Sequence, residues 1–313
     1  MIDNLNDIRL SRRKALACLG AWSGAAVIWT VAGGVPRALG KAADIHGRHA
    51  GGFTFAQVSD THLGFKKDAN PDVVGTLRRC IADLNALAQQ PGFVVHTGDI
   101  THLSKPEEFD LAEQLFGELR VGRMHFVPGE HDALDNGLGG YLARHGKDSG
   151  GKAWYSFDDH GVHFVALSNV VDFKAGSMPA LGDEQLGWLE QDLAARSAST
   201  PVVVLAHIPL WTVYEPWGWG TADAEPALTA LRRFGSVTVL NGHIHQVMQK
   251  VEGNVTFHCA RSTAFPQPAP GAAPSPGPMK VDDSKLRSML GIAHVTFRRG
   301  EQRLAIIDTP LQS

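Results

Sequence analysis

The chain has 313 residues, 43% of them hydrophobic, and a formal charge of −3. That length supports one large domain or two small ones with a sizeable core. The near-neutral charge gives no electrostatic basis for binding nucleic acid or an anionic membrane surface. Of the three cysteines, Cys18, Cys80 and Cys259, no two form a C-x-x-C pair, which excludes a zinc ribbon, and nothing in their spacing suggests a disulfide framework.

The first element is an address. "SRRKALACLGAWSGAAVIWTVAGGVPRALGKAA" sets Arg12-Arg13 ahead of a mild, Gly/Ala-rich apolar run that ends in small residues, the layout of a secretory signal. The paired arginines resemble the twin-arginine type, although Ala15 stands where a bulky apolar residue is usual. Residues 1–43 are therefore expected to be a signal peptide or a membrane anchor, with 14–40 long enough to serve as a tether if uncut. The twin-arginine export machinery is then a partner, and the body belongs in the periplasm or cell envelope.

From residue 53 short apolar runs alternate with amphipathic stretches. "FTFAQV", "FVVHT", "MHFVP", "HFVALS", "PVVVLA" and "SVTVL" read as strands buried on both faces. Helical periodicity covers 71–90, 106–119 from Pro106, and 183–195 with Asp183 as N-cap. This alternation predicts an α/β domain over 50–313 with a mostly parallel sheet. "VTFHCA" and "IAHVTFRRGEQRLAIID", with Gly300 at a turn, predict a second, largely antiparallel element. The Pro-rich stretch 265–279 is a loop, disordered or folded over something.

Ligand-type residues follow the strands. Asp60 and His62 come after "FTFAQV", Asp99 after "FVVHT", and Glu130, His131 and Asp132 after "MHFVP". His207 follows "PVVVLA", and His243 and His245 follow "SVTVL". Any one of them is more readily a cap, a turn or a surface group. Five strand ends sharing this chemistry are another matter, because open α/β sheets bind ligands beyond the carboxyl ends of their strands. Mixed Asp and His donors suit Zn, Fe or Mn, and the candidates are too many for one ion. A carboxylate can bridge two ions. Gly98, Gly129 and Gly242 keep side chains away where the backbone turns at the site.

These ordered motifs, D-x-H, G-D, a G-N-H-D-like G-E-H-D, H and G-H-x-H, resemble the calcineurin-like metallophosphoesterase superfamily over roughly residues 53–260. "QVSDTHLG", "TGDIT", "HIPL" and "NGHIHQ" look most like its class III 3',5'-cyclic-nucleotide phosphodiesterases. The resemblance implies a four-layer α/β/β/α sandwich with two mixed sheets flanked by helices. It implies two divalent or mixed-valence transition metal ions and hydrolysis of a small phosphoester by a metal-bridging hydroxide. Asp60, His62 and His245 would hold the first ion, His207 and His243 the second, and Asp99 would bridge. His131 would protonate the leaving oxygen, with Asp132 orienting its ring.

Position 130 would carry an asparagine that ligates the second ion. Glu130 adds a charge and a methylene there, so it either tightens that site or misses it. Three substrate readings stay open beside the cyclic nucleotide: a phosphomonoester, a pyrophosphate-linked nucleotide and a phospholipid headgroup. A non-catalytic metal-binding module is the alternative outside enzymes. His96 is expected in the core or just behind the ligands, and His102 in a loop. Trp211, Tyr214, Trp217 and Trp219 either pack a loop or form an aromatic wall beside the site.

Overall fold

The computed structural model describes residues 27–32, 35–41 and 52–312, apart from 135–136, 148, 175–176, 299–300 and 302–303. The chain divides into two units at residues 48 and 49. In the first, β1 (Val27–Ala32) and β2 (Val35–Lys41) run as an antiparallel pair, so this part of the anticipated tether is extended rather than helical. Arg12 and Arg13 lie outside the described residues. No described helix is long and apolar enough to cross a membrane.

The second unit contains two mixed sheets. One has the order β13-β12-β3-β4-β5, from β3 (Phe53–Val58), β4 (Val94–Thr97), β5 (Met124–Val127), β12 (Gly291–Phe297) and β13 (Ala305–Pro310). The other has the order β10-β11-β9-β8-β7-β6, from β6 (Tyr155–Asp159), β7 (Val162–Ala166), β8 (Val202–Leu205), β9 (Val237–Asn241), β10 (Met248–Glu252) and β11 (Val255–Cys259). In the six-stranded sheet β11, β9, β8 and β7 pair in parallel at the centre, with β10 and β6 antiparallel at the two edges. In the five-stranded sheet β3, β4 and β5 run parallel on one side, and β12 and β13 add antiparallel pairings on the other.

Alternation along the strands stacks the layers. Phe53 and Phe55 of β3 meet Phe164 of β7 and Val203 and Leu205 of β8 in the core between the sheets. Ala56 and Val58 face the opposite way, under α1 (Val73–Asn85), α2 (Pro106–Phe116) and α3 (Gly139–His145). Val202 and Val204 of β8 likewise pack under α4 (Asp183–Ala194) and α5 (Ala224–Leu231). The result is the four-layer α/β/β/α sandwich. Five of the six apolar runs are strands buried on both faces, as expected, whereas β5, at the edge of its sheet, is only half-buried over Met124–Phe126.

The expected single sheet with a separate antiparallel element is corrected. β12 pairs antiparallel with β3 and extends the first sheet, while β11 pairs parallel with β9 and extends the second. Gly300 lies outside the described residues. Asp183 is the first helical residue of α4 rather than its cap, because Gly182, at φ +82°, turns the chain there. The Asp223 carboxylate accepts the N–H groups of Leu181 and Gly182 at this entry. The structure adds α3, α5, β6, β10 and α6 (Asp283–Met289) to the elements the sequence predicts; β6 and β10 are polar edge strands, and α6 buries none of its residues. Cys80 and Cys259 are both buried, free thiols.

Candidate metal centre

The loops after β3 and β4 stay zipped together beyond the strands. Asp60 N–H donates to the Gly98 carbonyl, His62 N–H to Asp99 and Leu63 N–H to Ile100, each at 3.0 Å. This continuation forces an unusual backbone. Among the described residues, eight non-glycine residues adopt left-handed φ, and five of them are Asp60, His62, Asp99, His243 and His245. Such conformations cost on the order of 1–3 kcal/mol each and persist where the surroundings hold them, typically at functional sites.

All seven candidate ligands converge on one place. Asp60, His62 and His245 form one group of donors, and Glu130, His207 and His243 form another. Asp99 lies between them. Its Oδ1 accepts the His131 N–H at 2.9 Å, while its Oδ2 faces His62 Nε2 at 3.5 Å and His207 Nε2 at 3.4 Å, one imidazole from each group. The Glu130 side chain reaches the cluster, with Oε2 2.9 Å from His207 Nε2 and Oε1 2.8 Å from His243 Nδ1. At Gly98 a Cβ would strike the His207 ring, and at Gly129 it would strike Asp99. Neither glycine tolerates a side chain in this arrangement.

Tautomers indicate what the donors await. His207 Nδ1 donates to the Thr97 carbonyl at 2.6 Å, and His245 Nδ1 to the Phe265 carbonyl at 2.6 Å. A neutral ring bound in this way aims the Nε2 lone pair at its neighbours, which here are carboxylate oxygens. Lone pairs facing one another in a buried site repel unless a cation lies between them. Glu130 Oε2, His207 Nε2 and His243 Nδ1 are buried and have no hydrogen-bond partner. Two groups of carboxylate and imidazole donors sharing one carboxylate therefore fit two transition metal ions.

With the donors alone, the charges respond to one another. Burial would raise Asp60, yet the imidazoles of His245 and His207 hold it at about 2. Glu130 is likewise held well below the usual carboxylate range by His243 and His207 against the opposing effect of burial. Burial lowers His207, but Asp99 and Glu130 outweigh it and raise the ring well above its ordinary value, so without an ion a proton takes the place between ring and carboxylates that a metal would fill. Burial, helped by the crowding of His131, His245 and His102, keeps His62 neutral. These shifts describe a negative cluster that stabilises any cation placed in it.

His131 Nδ1 donates to the His102 carbonyl at 2.7 Å and the two rings stack at 4.8 Å, so His131 Nε2 is left for the cleft. Asp132 does not orient that ring. Its carboxylate accepts the N–H groups of Ile100, Thr101 and Gly129 and the Thr101 hydroxyl, and it staples the loop after β4 to the loop after β5. Burial and the Asp99 charge nevertheless push Asp132 up to about 6. The expectation fails because a buried carboxylate next to turning backbone is captured by the unpaired N–H groups there.

His102 lies in the loop after β4, as expected, and there its carbonyl fixes the His131 ring while its own ring approaches His62, Nδ1 to Nδ1, at 3.5 Å. Its place three residues beyond Asp99 was the only available signal. His96 is buried behind the site, bonded to Thr61 Oγ1 and the Gly98 N–H. The aromatic cluster divides between both readings. Trp217 and Trp219 line a cavity beside Glu130, His131 and His243, whereas Trp211 packs on Phe257 and Tyr214 packs on Trp217. The Pro-rich stretch folds over the centre, contributing Phe265, Gln267, Gly277 and Pro278 to its walls.

Known proteins share this architecture. Glycerophosphodiester phosphodiesterase GpdQ of Enterobacter lignolyticus is 28% identical over 61% of this chain and 70% of its own. A probable cyclic nucleotide phosphodiesterase of Rhodococcus erythropolis is 24% identical over 67% of this chain and 70% of its own. The crystal structure of a dimetal phosphatase from Danio rerio superposes with a TM-score of 0.59 at 15% identity, covering 83% of this chain and 99% of that one. The profile of the calcineurin-like phosphoesterases matches residues 53–247, the stretch that carries every donor just described. The chain thus belongs to the Calcineurin-like phosphoesterase family and is a hydrolase acting on phosphoester bonds.

Proposed function

We propose that the protein hydrolyses a small phosphodiester, such as a glycerophosphodiester or a cyclic nucleotide, at a dinuclear metal centre. Asp60, His62 and His245 would hold one ion and Glu130, His207 and His243 the other, with Asp99 placed between the two groups. The observation that carries the diester reading is the shape of the cleft. A cavity of about 490 Å³ walled by Phe173, Met178, Trp217 and Trp219 and a second of about 310 Å³ walled by Phe65, Lys67, His102 and Phe265 share Glu130, His131, Gln267 and Gly277. Two lobes diverging from one centre suit a phosphorus that carries two ester arms. The names of two relatives, a glycerophosphodiester phosphodiesterase and a probable cyclic nucleotide phosphodiesterase, support the same substrate class.

Bound transition metal ions supply Lewis acidity toward phosphoryl oxygens and lower the pKa of a water. The chain's own residues do the rest. His131, fixed through Nδ1 by the His102 carbonyl, presents Nε2 to the cleft and gives a proton to the departing ester oxygen. Asp132 holds the loop that aims it, and Gln267 anchors the cleft roof by donating from Nε2 to the His243 carbonyl at 2.9 Å. A panel of bis(p-nitrophenyl) phosphate, a glycerophosphodiester, a 3',5'-cyclic nucleotide and p-nitrophenyl phosphate, assayed after reconstitution with Mn, Fe or Zn, tests the reading. Higher kcat/KM on diesters is expected. Preference for the monoester would overturn the diester assignment and leave the family intact.

We also propose export of the body to the periplasm or cell envelope through the twin-arginine route, on the strength of Arg12-Arg13 and the apolar run behind them. Donors drawn from separate strand ends meet only in the folded sheet, so folding before export allows loading where metal supply is controlled. Cell fractionation of the Arg12→Lys, Arg13→Lys protein should show loss of envelope material. A parent protein that is already cytoplasmic would refute the proposal.

A further inference from the structure

The two donor groups are matched in charge. Each contains one carboxylate and two imidazoles, Asp60 with His62 and His245, and Glu130 with His207 and His243, with Asp99 between them. An asparagine at position 130, which the family resemblance would place there, would leave the second group with no charge of its own. Glu130 removes that asymmetry. Its two oxygens divide between the two rings of its group, at 2.9 Å from His207 Nε2 and 2.8 Å from His243 Nδ1, so the longer side chain reaches the donor group and does not miss it.

The same three side chains hold Glu130 Oε2, His207 Nε2 and His243 Nδ1, which are buried and have no hydrogen-bond partner. Among the described residues, no candidate donor atom of the Asp60 group is left in that state, since its free imidazole nitrogens, His62 Nε2 and His245 Nε2, face each other at 3.2 Å. The demand for a cation is thus at least as strong at the second group as at the first. Unpaired buried donors are costly until something satisfies them.

We infer that Glu130 makes the second metal position equal in affinity to the first, so that the protein holds both ions at rest, without substrate or phosphate to help retain the second. This rests on the dinuclear reading proposed above. Position 130 then sets how the centre is loaded, in addition to what the loaded centre does. A ligand carrying a full negative charge favours a small, hard cation more than a neutral amide oxygen does.

The test is a titration of metal-stripped protein with Mn²⁺ or Zn²⁺ alone, read by calorimetry and by metal analysis after dialysis. The parent is expected to take up two ions with dissociation constants within about tenfold of each other. Glu130→Gln, which keeps the shape and removes the charge, should retain one ion and bind the other at least about a hundredfold more weakly; loss even of residues that only support a ligand costs 10- to 100-fold. Asp60→Asn should show the mirror effect at the other position.

A parent whose second ion binds more than about a thousandfold more weakly than its first, or binds only when inorganic phosphate is added, overturns the inference. So does a Glu130→Gln protein that still takes up two ions with unchanged constants. The two steps of the parent titration decide the matter even if a variant does not fold. A parent that binds no ion at all instead refutes the dinuclear reading beneath it.

Discussion

His131 reaches the cleft because its other ring nitrogen is committed to a carbonyl: Nδ1 donates to His102, which fixes both the tautomer and the ring plane. It lies within ligand distance of His62 and His102 on one side and of Asp99 and Glu130 on the other, but outside the two matched groups. Replacing it with Ala should lower kcat by about 10²–10⁴-fold, the usual contribution of a positioned acid, while metal content by elemental analysis stays nearly unchanged. Loss of an ion in that variant would make His131 a ligand. The neighbouring Asp132 contributes otherwise. Its carboxylate satisfies three backbone N–H groups and a hydroxyl. Without it, buried donors are left unpaired at about 1–3 kcal/mol each, so Asp132→Ala should lower the melting temperature of stripped and metal-loaded protein alike.

At the scale of elements, the strands hold the donors and the loops aim them. The Pro-rich strap over residues 265–279 is tied down at one end by bonds from His245 Nδ1 to Phe265 and from Gln246 Nε2 to Gln267 and Pro268. Gln267→Ala removes the contact with the His243 carbonyl and should raise KM for a diester several-fold with little change in metal content. Proportional loss of metal would mean that the strap supports ligands rather than walls.

A second element-scale contact joins β7 to α4. Buried His163 lies 2.7 Å from Asp192 and 3.0 Å from Asp158. Burial pushes Asp192 up, but hydrogen bonds from His163 and Ser156 bring it below its ordinary value. A carboxyl depressed in the folded state adds stability above its unfolded pKa of about 3.9, and that stability is lost as pH falls through the folded value. Asp192→Asn should therefore melt lower than the parent at pH 7, with the difference shrinking below about pH 4. A constant gap across that range would show that packing rather than charge sets the effect.

For the whole molecule, the centre joins two sheets. Asp60, His62, Asp99 and Glu130 follow strands of the five-stranded sheet, and His207, His243 and His245 follow strands of the six-stranded one. Even the framework beneath crosses over, with Gln57 Nε2 of β3 donating to the Asn241 carbonyl of β9 at 3.0 Å. An ion held by both sheets opposes their separation, and its binding energy adds to folding energy. Stripping the metals should thus lower the melting temperature. At free metal a thousandfold above the dissociation constant the linked stabilisation is about 4 kcal/mol per ion. A calorimetric scan with and without chelator measures it, and coincident melts would mean that no ion bridges the sheets.

The sequence alone determined the local order of the fold. Runs such as "PVVVLA" and "SVTVL" are apolar on both faces, so they mark buried parallel strands without any knowledge of their neighbours, and the residues directly after them are placed at a sheet end by that fact. Strand ends mark out the ligand-type residues, and the resemblance to the calcineurin-like superfamily separates the seven metal-ligand candidates from His131 and Asp132. What depends on partners distant in the chain was settled by tertiary structure. Strand order was one such matter: β12 pairs with β3, more than two hundred residues earlier, and β11 pairs with β9 as well as with its hairpin neighbour β10, which no local pattern encodes. Another was the choice of hydrogen-bond acceptor, which turned Asp132 toward backbone N–H groups and gave the orientation of His131 to a carbonyl. For His102 the spacing from Asp99 is the only signal, because its role comes from a ring stack and a main-chain oxygen, and neither depends on residue type in a way that a sequence displays. Chemistry carried by a side chain's type can be read in order along the chain; chemistry carried by where the backbone comes to rest exists only once the sheets have closed on each other.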